Sequence, residues 1–306
     1  MISNLNASSE AFLANMKRVQ GRVENASRQA SSGKRVNVAS DAPAEIDTIL
    51  QLRTDSEHNG QIRENLAVAR TDADSADGAL TSATKIMDRA RVLAAQGANF
   101  TMDATGRQSI AGEVQSLLEQ MVAVSRTAVQ GRYIFGGDSD GAPPYEVDLT
   151  AANGVAQLTN TPATRRVEDS AGGSFAVSRT AAEIFDTHKA DGSAAGDNTF
   201  AALNQLRLAL LANDTTQIQM AAGAIQQASG RLNVAQAFYG TVENRISSAT
   251  NYSESYEVQL KTELSQKEDA DLASAALMVT QGNLQLQAAF QMQAKMPRTT
   301  LFDFIG

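Results

Sequence analysis

The longest repeating pattern in the chain runs from Ile218 to Leu260. Thirteen positions follow one another there at alternating spacings of three and four residues, and Ser253 is the only polar residue among them. This spacing places side chains along one stripe of an α-helix. The other eleven positions are Ala221, Ile225, Ala228, Leu232, Ala235, Tyr239, Val242, Ile246, Ala249, Ser253 and Tyr256. Such a helix is too long for one globular core, so the pattern predicts a rod of packed helices.

Two further apolar stripes with the same spacing occupy residues 62–94 and 110–128. The connection between them is short, which favours antiparallel neighbouring helices. We interpret both stripes, like the longer one, as core within a single chain. A break at residues 58–60 (His-Asn-Gly) is predicted to precede the first stripe. A shorter helix before this break would begin with Asp41 as its N-cap.

Residues 138–198 have a different pattern from the helical segments. Short alternating segments are separated there by Gly, Asn and a Thr-Pro pair, which is typical of strands and turns. Helical spacing returns after Asn198. The middle of the chain is therefore predicted to be a small β-rich insertion.

The two ends of the chain carry apolar patterns of their own. Residues 272–294 contain no Asp, Glu, Lys, Arg or His, and five of them are glutamines. Amides can be buried with hydrogen bonds, whereas an unpaired buried charge is costly. The many hydrogen-bonding side chains argue against a lipid-spanning helix. Residues 5–30 carry a heptad stripe as well.

We expect both end helices to pair with each other and then to pack against the same helices of neighbouring copies. Each has apolar and neutral faces wider than one partner helix can cover. The residues expected at this assembly interface are Leu5, Phe12, Met16, Val19, Val23, Leu272, Val279, Leu286, Phe290, Leu301, Phe302, Phe304 and Ile305.

The expected fold is mainly α: a long antiparallel helical rod or coiled coil. The N and C termini would pair at one end of the rod, and the small β-rich insertion would lie at the other. Three domains are predicted by this nesting. They are an assembly domain of residues 1–41 with 264–306, a helical rod of 42–137 with 199–263, and the insertion at 138–198.

Charge and composition exclude several classes of function. The net charge is −8 and the isoelectric point about 4.9, so there is no basic surface for nucleic acid or an anionic membrane. There is no Cys and there are two separated histidines, His58 and His188, and no nucleotide-binding or metalloprotease motif occurs. We expect no catalytic residue, no cofactor and no metal. The acidic residues Glu268, Asp269 and Asp271 beside Lys267 are interpreted as a solvated joint.

Several segments resemble bacterial flagellins and flagellin-like proteins. Residues 31–37, SSGKRVN, continuing through 40–44, are similar to a turn motif of that family, and 103–121 resemble the stretch in which its helix restarts. The uncharged C-terminal helix is also similar. Together the resemblance covers about residues 1–137 and 199–306 and leaves the insertion unmatched.

Three details resemble the hook-associated members of this family more than its filament subunits. They are Pro43, the GRYIFGG segment at 131–137 and the tail at 300–304. The resemblance implies a non-enzymatic structural subunit that joins the flagellar hook to the filament and self-assembles into a ring or short tube. It implies flagellin, another hook-associated protein and an export chaperone as partners. It also implies an extracellular location in the flagellum, reached by export without a cleaved signal peptide.

Three other functions are compatible with parts of the pattern. Flagellin, the main filament subunit, shares the same helical ends. A coiled-coil signalling protein of the chemoreceptor kind would also be rich in Ala and Gln, but it would need membrane spans or a sensing module. An enzyme hidden within 138–198 would have one His and no recognisable pair of acids to work with.

Overall fold

The computed structural model describes residues 2–295, with side chains described from residue 9 to residue 294. The helices are α1 (Ile2–Ser32), α2 (Ile46–Gly97), α3 (Ala104–Ser125), α4 (Ala181–Phe185), α5 (Thr199–Leu211), α6 (Thr215–Glu268) and α7 (Leu272–Lys295). The strands are β1 (Ala128–Val129), β2 (Arg132–Tyr133), β3 (Tyr145–Val147), β4 (Val155–Gln157), β5 (Arg166–Glu168) and β6 (Ser174–Ala176). The strands form separate antiparallel pairs, β1–β2, β3–β4 and β5–β6. The predicted mainly α fold with a small β region is confirmed.

The chain divides into two compact units. Unit 1 is drawn from residues 1–58 and 256–306, and unit 2 is residues 59–255. The predicted division into three domains stays a prediction.

Unit 2 is built around one hydrophobic core, and the predicted stripes form most of it. All ten apolar positions from Ile62 to Ala94 are buried, as are Val114 and Met121 of α3 and the α6 stripe from Ile218 to Ala249. The hairpins contribute to the same core. Their buried side chains there are Phe135, Tyr145, Val155, Val167 and Phe175.

The helix break expected at residues 58–60 is wrong, because α2 runs without interruption from Ile46 to Gly97. Asn59 is 1% exposed and is held by polar partners from distant parts of unit 2. Its amide nitrogen donates to the Ser253 carbonyl at 3.0 Å. Its amide oxygen accepts from the hydroxyls of Ser253 at 2.7 Å and Ser170 at 2.6 Å. These contacts suit a helix interior, although Asn-Gly usually marks a turn.

The connection between α1 and α2 also differs from the expectation. The residue after α1 is Gly33, whose φ of 71° is a left-handed conformation that glycine adopts without strain. Asp41 does not cap α2. Its carboxylate accepts hydrogen bonds from the backbone nitrogens of Asn37 and Val38, both at 3.0 Å, and α2 begins at Ile46. Asp41 therefore stabilises a turn in the connection.

The short helix α4 was not anticipated, although the sequence carries a signal for it. The Thr180 hydroxyl accepts from the Glu183 backbone nitrogen at 3.1 Å, and the Glu183 carboxylate accepts from the Thr180 backbone nitrogen at 2.9 Å. This reciprocal pair is a capping box, which a Thr followed three residues later by Glu predicts.

Candidate assembly interface

Helices α1 and α7 form an antiparallel pair in unit 1. Val19 and Arg22 of α1 line a groove of about 210 Å³ together with Met278 and Gln285 of α7. Further along the pair, Lys34, just after α1, forms a β-bridge with Asp269, just before α7. Residue numbers thus rise along one helix as they fall along the other.

The two helices approach each other closely at Gly282. This residue is buried, and a Cβ atom built on it would collide with Cγ2 of Val23. Glycine weakens the interior of a helix by about 0.5–1 kcal/mol relative to alanine. The close approach gives a physical reason for a glycine in the middle of α7.

The residues expected at the interface divide into two groups. Phe12, Met16, Val19 and Val23 of α1 are half-buried on the side that faces α7. On α7, Val279 and Leu286 are half-buried in the pair. By contrast, Leu272 and Phe290 are 54% and 59% exposed.

Five of the expected residues cannot be placed by their side chains. Leu5 lies within α1, but its side chain is outside the described part. Leu301, Phe302, Phe304 and Ile305 lie outside the described residues altogether.

The side of α7 that faces away from α1 is apolar and uncharged. Leu277 and Leu284 are 58% and 60% exposed, and a helical turn of 100° per residue places Leu284 opposite Ala275, which is buried in the pair. Met278, which lines the groove against α1, and Met292 are also more than half exposed, although neither lies opposite Ala275. The exposed polar residues all around α7 within 272–294 are neutral, namely Thr280, Gln281, Asn283, Gln285, Gln287, Gln291 and Gln293.

The outer side of α1 differs from that of α7 because it is charged. Its exposed residues include Lys17, Arg18, Glu24 and Arg28. Burying these side chains against protein would require a partner for each charge. Covering the outer side of α7 with protein therefore costs less free energy than covering the outer side of α1.

A polar cluster around Glu268 joins the two chain connections of unit 1. The Glu268 side chain is 2% exposed, so the expectation of a fully solvated joint is wrong at this residue. Its Oε1 atom binds Lys34 Nζ at 2.6 Å and also binds the Arg53 guanidinium. Sequence reasoning missed both partners because they lie more than 200 residues away along the chain. Burial raises the pKa of Glu268, but the hydrogen bonds from Lys34 and Arg53 outweigh it and leave the pKa below its ordinary value.

Neighbouring bonds extend this cluster along the backbone. The Arg35 guanidinium donates to Glu45 Oε2 and to the Lys267 carbonyl, each at 2.5 Å. The Arg35 backbone nitrogen donates to the Glu268 carbonyl at 2.6 Å, and Ala270 donates to the Gly33 carbonyl at 2.9 Å. The SSGKRVN segment therefore docks on the last turn of α6.

Within residues 2–295, no group of three or more His, Asp or Glu side chains is placed to hold a metal ion. None of the helices in that range combines the length and apolar composition that a membrane crossing requires.

Two family models match the two helical ends of the chain. The bacterial flagellin N-terminal helical region matches residues 2–140, and the bacterial flagellin C-terminal helical region matches residues 222–305. The chain belongs to the bacterial flagellin family. Like other members of this family, it is a structural protein of the flagellum.

Curated flagellin-family relatives align over most of this chain. Flagellin of Bacillus subtilis strain 168 is 28% identical over 279 residues, covering 87% of this chain and 86% of the relative. Flagellar hook-associated protein 3 of Escherichia coli K12 is 24% identical over 292 residues, covering 90% of each.

Solved structures share the flagellin-family fold of this chain. A flagellar hook-associated protein from Vibrio parahaemolyticus superposes with a TM-score of 0.64 at 17% identity, covering 75% of this chain and all of the other. Flagellar hook-associated protein-3 from Legionella pneumophila gives a TM-score of 0.60 at 15% identity, covering 72% of this chain and 98% of the other.

Proposed function

We propose that this flagellin-family chain is a structural, non-enzymatic subunit that joins the flagellar hook to the filament. Its similarity to hook-associated protein 3 spans 90% of both chains, and the solved structures it matches include hook-associated proteins. The GRYIFGG segment and the tail at 300–304 resemble the same members of the family.

The observation that carries an assembly role is the outward side of α7. Its large apolar side chains are exposed in the single chain, and residues 272–294 carry no charge. Fully burying a Leu, Met or Phe side chain is worth about 1.5–3 kcal/mol, and half-exposed side chains can still collect about half of that. A neighbouring copy that covers this side would gain this free energy without burying an ionised group.

The proposed assembly interface combines this outward side of α7 with the residues expected from the sequence. Val279, Leu286 and the α1 residues would hold the pair together, while Leu272 and Phe290, which are more than half exposed, would contact neighbouring copies. Leu5, Leu301, Phe302, Phe304 and Ile305 complete the proposed interface. The proposed assembly domain of residues 1–41 and 264–306 would contain all of them, with the rod and insertion domains as predicted.

The proposed partners follow from a place between hook and filament. Copies of this chain would form a ring or short tube, with flagellin on one side and another hook-associated protein on the hook side. An export chaperone would cover the C-terminal helix before assembly. The chain would leave the cell by flagellar export without a cleaved signal peptide and remain extracellular.

Flagellin itself is the second candidate, favoured by the 28% identity to the Bacillus subtilis protein. Deleting the gene distinguishes the two roles. A junction subunit predicts cells that keep a hook, lack a filament and release flagellin into the medium, as seen by electron microscopy and immunoblotting. Cells without the gene that release no flagellin would favour the filament role, and cells with normal filaments would contradict both.

The outward side of α7 can be tested with Leu284→Glu. Because Leu284 is 60% exposed, the single chain should fold normally, but a charge on this side should abolish assembly. The measurement is filament formation after complementation of the deletion strain, together with circular dichroism of the purified protein. The matched control is Val234→Glu, which places the same charge on a side chain of α6 that is 55% exposed. Normal filaments with Leu284→Glu would show that this side is not used.

A further inference from the structure

The two chain connections of unit 1 meet at one buried carboxylate. Residues 33–45 connect α1 to α2, and residues 269–271 connect α6 to α7. Backbone bonds cross between them in both directions, from Arg35 to the Glu268 carbonyl at 2.6 Å and from Ala270 to the Gly33 carbonyl at 2.9 Å. The backbone bonds between the connections therefore fix the directions in which α1 and α7 leave them.

The carboxylate of Glu268 and its partners differ in exposure. Glu268 is 2% exposed, while Lys34 and Arg53 are 48% and 44% exposed. If the carboxylate were neutral, both cations could turn to water, but the buried carboxyl group could not. The charge of Glu268 therefore keeps the cluster together, because this carboxylate contacts one cation from the α1–α2 connection and one from α2.

We propose that Glu268 is an electrostatic latch, whose ionised carboxylate holds the two connections together and so maintains the antiparallel pairing of α1 with α7. The latch acts within the single chain. Its consequence for assembly rests on the proposed function, because only there does the α1–α7 pair serve as the building unit.

The other charged groups around the latch have ion-pair or hydrogen-bond partners of their own. Arg35 binds Glu45, and Lys267 Nζ lies 4.0 Å from the same carboxylate. Asp269 accepts from the Ser265 hydroxyl at 2.5 Å, and Asp41 accepts from two backbone nitrogens of its own turn. Glu45 is more exposed than Glu268, so its ion pair is more strongly screened by water.

The pH dependence of the latch follows from the lowered pKa of Glu268. A carboxyl group whose pKa is lower in the folded state stabilises that state above its unfolded pKa, and the contribution is lost as the pH falls through the folded value. The latch is therefore closed at neutral pH and opens only below the ordinary glutamate pKa of about 4.3.

Hydrogen exchange of the full chain tests the latch with Glu268→Gln, which keeps the shape and removes the charge. The amides of Arg35 and Ala270 and those of α1 should exchange faster than in the wild type by on the order of tenfold. The matched control is Glu263→Gln, the same change at an exposed position of α6, which should leave these rates unchanged. In the wild type, rates corrected for intrinsic exchange should rise as Glu268 is protonated, and in Glu268→Gln they should show no such step.

Protection of residues 62–94 in unit 2 reports whether each variant is folded. If Glu268→Gln loses that protection as well, the latch is tested with Arg53→Met instead. This variant leaves the carboxylate and one cation in place, so it should speed exchange to a smaller extent. Equal rates in Glu268→Gln and Glu263→Gln, or in Arg53→Met and the wild type, would overturn the latch. If Glu268→Gln subunits show the faster exchange and still assemble, the latch within the single chain stands and its consequence for assembly is wrong. This outcome distinguishes the latch from the proposed function.

Discussion

Single polar residues decide local structure at several points where side-chain preference alone would mislead. Asn59 sits in the interior of α2, because its amide group bonds Ser253 and Ser170 in unit 2. Asp41 does not cap α2, because its carboxylate accepts hydrogen bonds from the Asn37 and Val38 amides of its own 3-10 turn. Glu268 is buried, because two cations from distant parts of the chain neutralise it. For Asn59 and Glu268 the deciding partners lie more than 100 residues away along the chain, so the neighbouring sequence does not show them.

Replacing Asn59 by alanine tests the buried polar network. Alanine is the better helix former by a few tenths of a kcal/mol, so helix propensity alone predicts a slightly more stable protein. The substitution also leaves the hydroxyls of Ser253 and Ser170 without this acceptor, and Ser253 is fully buried. That loss costs about 1–3 kcal/mol and should dominate, lowering the free energy of unfolding in urea.

The control for this substitution is Asn251→Ala on the exposed side of α6. It should change the free energy of unfolding by less than about 0.5 kcal/mol. A stability of Asn59→Ala equal to or above that of the control would mean that the network contributes nothing.

At the scale of elements, the regular stripes were predictable and the short pieces were not. A helix buried along its whole length must repeat its apolar side chains with the helical period, so α3, α6 and residues 62–94 of α2 could be predicted from spacing. Alternation and turn residues predicted short strands within residues 138–198, where β3, β4, β5 and β6 lie. The helix α4 has five residues, too few for a period, and only the Thr180 to Glu183 capping signal marks it. The pairing of α1 with α7 depends on Gly282, whose role is visible only once Val23 is placed beside it.

Gly282→Ala tests the close approach of α1 and α7. An added Cβ would collide with Val23, and overpacking of this kind costs about 1–3 kcal/mol, more than the helix gains from alanine. We expect faster hydrogen exchange of the α1 and α7 amides. Gly21→Ala is the matched control within the same pair, because a Cβ at Gly21 has open space around it. It should slow exchange in α1, and an equal response of the two variants would contradict a specific contact at Gly282.

For the whole molecule, the structure divides the chain into a unit formed by its two ends and a unit formed by its middle. Unit 2 has its own extensive core, with contributions from α2, α3, α5, α6 and the hairpins. Unit 1 has a small buried cluster of Val36, Ala42 and Ile49, and it keeps large apolar side chains of α7 exposed. The family could be recognised from sequence because the two ends of the chain carry the segments that resemble it. The assembly interface stays a prediction because it depends on neighbouring copies.

A chain shortened to end at residue 269 tests this division of labour. It lacks α7 and everything after it, but it retains the complete core of unit 2. We expect a helical protein with cooperative thermal unfolding that does not form assemblies, measured by circular dichroism and analytical ultracentrifugation beside the full chain. Assembly at the normal rate would show that the terminal helices are dispensable, and loss of all helical signal would show that unit 2 depends on them.

The absence of ionised groups from residues 272–294 determines how a contact made through α7 responds to the surrounding medium. Dissolved salt weakens attraction between exposed ions, but it has no ion pairs to screen on this side of the helix. Sulfate and phosphate, which are excluded from apolar surfaces, strengthen the burial of such side chains. A flagellar junction held by such contacts would stay stable from low to high salt concentration.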